Sequence, residues 1–242
     1  VFRPMHVEAS VKAGQPVFAE KPVAVAPVGV RSAMAAIELA RQKNLGFMGG
    51  TQLRWHPCYQ DIMQRVHDGQ SGEVTGGECS WYGNFMSNWH AEVRKPEWSD
   101  MEYQIRCWPQ FVWTSGDNFV EMVIHNVDIL NWAMRKTPER AIGFGGHVNW
   151  DDWPVKGNVY DHIYAEFDYG KGVRMSASGR QIKNTFSRVA ERIVGTRGIA
   201  TPVIGQIEGE KPYKYDGAFP NPREIQHRAF VESIRGGRPL NE

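Results

Sequence analysis

Residues 4–50 read PMHVEASVKA GQPVFAEKPV AVAPVGVRSA MAAIELARQK NLGFMGG, and this stretch decides the fold. Pro4 to Ala13 is predicted as a helix, because Pro4 suits a first turn and Gly14 the position just past the last. Gln15 to Ala19 is a short apolar strand that runs into Glu20-Lys21-Pro22. Pro27 to Lys43 is a second helix, again opened by proline, with Asn44 as a left-handed stop. Leu45 to Met48 is a second apolar strand, followed by Gly49-Gly50. Helix, strand, helix, strand at this spacing predicts a parallel α/β sheet. The pattern starts in the middle, with no first strand.

Downstream the character changes. Pro57 to Asp68 is a third helix and Glu73 to Tyr82 a strand. Residues 81–113 form an irregular stretch with nine aromatics, Trp81 through Trp113. A long helix is predicted from Asp117 to Met134. Strands follow at 140–150, 158–169, 172–182, 188–195 and 199–207, and a last helix runs from Pro222 to about Arg235. Tyr169-Gly170-Lys171-Gly172 and Gly195-Thr196-Arg197-Gly198 read as hairpin turns. Such short turns cannot make parallel crossovers, so the second half is predicted as a mostly antiparallel sheet with helices.

Bulk properties exclude several classes. Hydrophobic residues at 41% and charged residues at 23% give an ordinary globular balance. The net charge of +1 supplies no field that would draw nucleic acid or an anionic membrane. No apolar run approaches the roughly 18 residues of a spanning helix. Cys58, Cys79 and Cys107 show no CxxC spacing and are odd in number, so a reducing, cytoplasmic setting is the default, with an exported form left open. The chain starts at Val1 and ends in the charged, Gly-rich run Ile234 to Glu242. Both ends read as cut, so the chain reads as a fragment.

The segment from Ser115 to Trp132 carries the chemistry. On a helical wheel, Phe119, Val120, Met122, Val123, Ile124, Val127, Ile129 and Leu130 cover most of the circumference, so the helix should be buried. One stripe is polar: Asn118, Glu121, His125 and Asp128. It either faces a cleft or satisfies a polar network in the core. In the first case His125 is a general acid/base, with Glu121 and Asp128 setting its tautomer and proton affinity. A metal site is a third reading, but there is no HExxH and no second histidine cluster, so no metal is assigned. Lys21 favours the cleft. It follows a buried parallel strand, and ligands of open α/β sheets bind at the carboxyl ends of strands.

Several further residues are candidates, each with an ordinary structural alternative. Arg54 and His56 follow a strand end. Arg180 lies in the 172–182 strand, and Tyr160 and His162 share one strand face if 158–169 is regular. Trp113, with Trp89, Trp98 and Trp108, could stack on a sugar ring or fill a core.

Met5-His6 through Glu20-Lys21-Pro22, the Gly49-to-Pro57 run, and Glu121-x3-His125-x2-Asp128 together resemble the glucose–fructose oxidoreductase/inositol dehydrogenase (Gfo/Idh/MocA) family. The resemblance covers nearly the whole chain in the right order. It implies that residues 1–56 are the carboxy-terminal remnant of a Rossmann-type dinucleotide-binding domain. Residues 57–242 would be an α+β domain for substrate binding and oligomerisation, truncated at its end. It implies an NAD- or NADP-dependent oxidoreductase acting on a hydroxyl of a sugar, inositol or related polyol. Lys21, Glu121 and His125 would be the catalytic group. Asp128, Arg54, Arg180, Tyr160, His162 and Trp113 would bind substrate, and Glu20, Lys21, Pro22 and Arg54 the cofactor. A homo-oligomer would pair through the antiparallel sheet. Two alternatives remain within the resemblance: a relative that cleaves glycosides with bound NAD, and a catalytically inactive oligomerising module.

Two departures matter. Position 121 is Glu, where Asp is commoner in the family. No G-x-G-x-x-G occurs in the 242 residues, and Gly143-Phe144-Gly145-Gly146, the nearest match, lies among the strands with no helix after it. The missing part would be three or four βα units, roughly a hundred residues at about 30 per unit. The expectation is therefore that the chain alone binds the dinucleotide weakly and turns nothing over.

Overall fold

A computed structural model of the chain describes residues 1–83, 89–148 and 154–240. The last two residues of the predicted 140–150 strand, the aromatic Phe85 and the terminal Asn241-Glu242 lie outside them. Two layers are built. In the first, helix α1 (Arg3–Lys12) leads to strand β1 (Val17–Ala19), and α2 (Pro27–Gln42) to β2 (Phe47–Gly49). The two strands pair in parallel, Val17 opposite Phe47 and Ala19 opposite Gly49. Val7 and Val11 of α1 and Ala36 and Ala40 of α2 form one buried cluster with Ala19 and Phe47. The i, i+4 spacing places each pair on one helix face.

The second layer begins with α3 (Pro57–His67), which leads into strand β3 (Val74–Gly83). Beyond it lie two short helices, α4 (Asp100–Arg106) and α5 (Val112–Ser115), inside the stretch predicted as irregular. The signal for α4 was legible: Ser99 caps the Glu102 amide at 3.1 Å, an S-x-x-E box. The later strands are β4 (Arg140–Gly146), β5 (His162–Asp168), β6 (Arg174–Gln181), β7 (Arg188–Gly195), β8 (Gly198–Thr201), β9 (Gln206–Gly209) and β10 (Tyr213–Lys214). They form an eight-stranded sheet in the order β10-β9-β8-β7-β3-β6-β5-β4. Among the described residues of this sheet, only β3 and β6 pair in parallel, β3 lying between β7 and β6. The predicted strand 199–207 is two strands, broken by Pro202 and by Gly205 at φ +64°. The predicted strand 158–169 starts only at His162, so Tyr160 precedes it.

The long helix is not uniform. Gly116 and Asp117 adopt left-handed backbone at φ +79° and +73°. Residues Phe119–Val123 then form a π turn, and the α-helix proper, α6, spans Ile124–Met134. A π turn closes i→i+5 bonds, so side chains on its two sides are rotated out of the simple 3.6-residue wheel. It sits tightly on the sheet: a side chain at Gly179 of β6 would place its first carbon 2.8 Å from a Val123 methyl. Helix α6 then bridges both halves of the inner face. Leu130 packs with Cys79, Phe167, Met175 and Ala177, and Ile129 and Ala133 pack with Ile62, Met63, Ile193 and Ile207. Each fully buried Ile, Leu or Met here contributes about 1.5–3 kcal/mol. The last helix, α7 (Pro222–Arg235), returns to the first layer, where Gln226 Nε2 donates to the Gly49 carbonyl at 2.7 Å. Among the described residues no helix is long and apolar enough to cross a membrane.

Candidate active site

Lys21 leaves the carboxyl end of β1 and reaches across to the π turn. Its ammonium donates to the Glu121 carboxylate and to the Glu121 backbone carbonyl, the latter at 2.5 Å. The two side chains are 16% and 3% exposed. The loop is held from several sides. The Lys21 amide donates to Glu20 Oε2 at 3.2 Å, and Arg3 Nη1 donates to the Pro22 carbonyl at 3.0 Å. Gly50, at the end of β2, lies so close that an added side-chain carbon would stand 2.9 Å from the Lys21 nitrogen.

Glu121 and His125 are both buried. Burial raises the Glu121 carboxyl above its usual range, and Lys21 and Arg3 oppose that. Burial first, then the charges of Lys21 and Arg223, hold His125 down at about 4. His125 is therefore neutral at physiological pH. Its Nδ1, and Oε2 of Glu121, are buried with no hydrogen-bond partner among the described residues. The His125 ring leans on Trp81, centroids 5.6 Å apart. Next to Glu121 lies a cavity of about 300 Å³, whose walls include Arg3, Pro22, Ile105, Trp108 and Thr114.

The predicted polar stripe divides. Lys21 and Glu121 meet, but Asp128 does not serve His125. It takes a two-pronged contact from Arg54, Nε to Oδ2 at 2.7 Å and Nη2 to Oδ1 at 2.9 Å. This corrects the expectation that Asp128 tunes the imidazole: the charges acting on His125 are cations, and Arg54 occupies the carboxylate. Arg54 and Asp128 border a separate cleft with Thr51, Trp55, Gln60 and Trp132.

Other candidates lie farther off. Gly179 faces the π turn, so its neighbour Arg180 projects from the opposite face of the sheet. His162 pairs directly with Arg180 across the strands and shares that outer face. His162 Nδ1 contacts Asp161 Oδ1 at 2.7 Å, and the Arg180 guanidinium lies 4.8 Å from the Tyr82 ring centre. The Tyr160 amide donates to Asp117 Oδ1 at 2.9 Å just ahead of the π turn, and its side chain is exposed. Trp113 is half-exposed and donates to Gln104 Oε1 at 2.7 Å. Glu20 is exposed, while Pro22 lines the cavity. Among the described residues no group of three or more His, Cys, Asp or Glu is arranged to hold a metal ion. Sequence reasoning missed Trp81 beside His125, although its alternation with Cys79 puts both on the inner face. It also missed Arg3 and Arg223, which carry no pattern signal.

The architecture is a two-stranded parallel sheet with its helices, joined to a large, mostly antiparallel sheet. Its fold is that of the Gfo/Idh/MocA oxidoreductases. No protein-family model matches the chain, and no curated protein sequence matches it. Solved structures do. Levoglucosan dehydrogenase in complex with NADH and levoglucosan superposes with a TM-score of 0.76 at 13% identity, over 99% of this chain and 69% of that one. Myo-inositol 2-dehydrogenase from Lactobacillus plantarum gives 0.70 at 18% identity, over 100% and 69%. UDP-N-acetylglucosamine 3-dehydrogenase from Acidithiobacillus ferrooxidans gives 0.69 at 18% identity, over 99% and 68%.

Proposed function

We propose that this chain carries the catalytic and substrate half of an NAD- or NADP-dependent oxidoreductase acting on one hydroxyl of a sugar, inositol or related polyol. The observation that carries the reading is that Lys21 and Glu121, from elements a hundred residues apart, meet beside a cavity lined by Glu121 and Pro22, with His125 one helical turn beyond Glu121. The buried, unpartnered His125 Nδ1 and Glu121 Oε2 fit a bound hydroxyl compound. Pro22 and Lys21 would border the nicotinamide end of the cofactor; no G-x-G-x-x-G turn to hold its phosphates occurs in these 242 residues. A bound nicotinamide would accept or give the hydride.

The chain's own residues supply the rest. Neutral His125 takes the hydroxyl proton at a ring nitrogen. The Lys21 ammonium, which has three donors, keeps one for the oxygen on which negative charge develops. Glu121 holds the ammonium in place, and its free Oε2 can accept from a second hydroxyl. Extending the chain upstream by its native sequence and supplying NAD⁺ or NADP⁺ with a panel of sugars and inositols tests this. Sugar-dependent appearance of reduced nicotinamide is expected. Its absence across the panel would overturn the reading.

The outer face of the large sheet supports the oligomer. Ile142 and Phe144 are 71% and 70% exposed, and Phe144 stacks on Tyr164 at 5.1 Å on that face. Such a patch on a sheet face suits a second copy of the chain. Sizing by light scattering should show an oligomer, and Ile142→Lys with Phe144→Glu should yield monomer. A wild-type monomer would rule the pairing out.

A further inference from the structure

We infer that Arg3, Lys21 and Arg223 together make this site select a sugar bearing an anionic group, a carboxylate or a phosphoryl group, over a neutral sugar. The inference rests on the reading of the site as a sugar oxidoreductase. Arg223 is placed by α7. Three and four residues on, Gln226 bonds the Gly49 carbonyl and His227 stacks on Phe18 of β1 at 4.3 Å. Residues three and four apart share a helix face, so Arg223 points over the same strand ends from which Lys21 emerges. Its charge reaches His125, and that of Arg3 reaches Glu121. Arg3 also lines the cavity beside Glu121.

The charges do not balance. Among the described residues, Glu121 is the one carboxylate lining the cavity, and Lys21 already engages it. Glu20 is exposed and turned toward its own loop, against Gly50 and the Lys21 amide. Among the described residues, neither the Arg3 nor the Arg223 guanidinium has a carboxylate partner. A neutral sugar leaves two cations uncompensated beside a neutral imidazole, whereas an anionic substituent meets them. The planar guanidinium fork matches the oxygens of a carboxylate or a phosphoryl group.

Ligand-observed NMR titrations of the 242-residue chain at low ionic strength test this with D-glucuronate, D-glucose 6-phosphate and D-glucose. At least one anionic sugar should bind about tenfold or more tighter than glucose, and which one does identifies the group. Arg223→Ala should lower that ratio severalfold, and Arg223→Lys, which keeps the charge, should restore part of it. Arg223 is exposed, so circular dichroism of the variants should match that of the parent chain. Equal affinities for all three, or a ratio that survives both Arg223→Ala and Arg3→Ala, would overturn the inference. Binding of glucose alone would overturn it and leave the sugar-oxidoreductase reading standing. Binding of none would overturn both.

Discussion

Replacing His125 by alanine should cut turnover by about 10²–10⁴, the usual contribution of a positioned acid/base. The variant is expected to fold, because among the described residues the imidazole makes no hydrogen bond through Nδ1. The effect should fall on kcat, with KM little changed, since the proton moves in the transition state. The pH profile adds a second check. His125 is held at about 4, so the acid limb of the parent enzyme's profile should lie below about pH 5 rather than near 6.5. His125→Ala should remove that limb. Equal turnover in parent and variant would mean that another group takes the proton.

Replacing Glu191 by glutamine should change how stability depends on pH. Glu191 lies on β7 behind α6, 1% exposed. It accepts from Asn126 Nδ2 at 2.5 Å and from the Tyr59 hydroxyl at 3.1 Å. Burial pushes its carboxyl from the ordinary 4.5 up to about 7. The folded chain thus binds more protons at Glu191 than the unfolded chain does, and stability falls as pH rises from 4.5 to 7. His125 acts the other way. Its folded value of about 4 lies below the ordinary 6.5, so stability rises with pH across that window. Between about pH 4.5 and 6.5 the two slopes oppose each other, each worth about 1.4 kcal/mol per pH unit. In Glu191→Gln the opposing Glu191 slope is gone. Relative to the parent, the variant should gain about 2–3 kcal/mol from pH 4.5 to 6.5, read from denaturant midpoints. Parallel profiles for the two proteins would contradict this balance of buried charges.

The paired layers were legible in the sequence because proline and glycine punctuate them. Pro4, Pro27, Pro57 and Pro222 open helices that the structure places within a residue of prediction. Lys21 and Glu121 were legible as partners because one ends a buried strand and the other interrupts an apolar helix. The π turn was not, since a wheel drawn at 3.6 residues per turn assumes one phase throughout. The link between Asp128 and His125 failed for a different reason: both lie on α6, but Arg54, from the segment after β2, takes the Asp128 carboxylate. Arg180 and His162 were legible as strand residues but not as a pair on the outer face. Their side was fixed only by Gly179 against Val123. Arg223 had no sequence signal, because its place depends on α7 folding back onto strands more than 170 residues earlier.

The central claim is that a hydride and a proton leave one carbon–hydroxyl unit at the Lys21–His125 site. The most direct measurement uses the upstream-extended protein, NAD⁺ or NADP⁺, and sugars or inositols deuterated at each hydroxyl-bearing carbon in turn. NMR of the recovered nicotinamide should show deuterium transferred from one position only, with none transferred by His125→Ala within the same time. Reduced nicotinamide without sugar deuterium, or undiminished transfer by His125→Ala, would contradict the account.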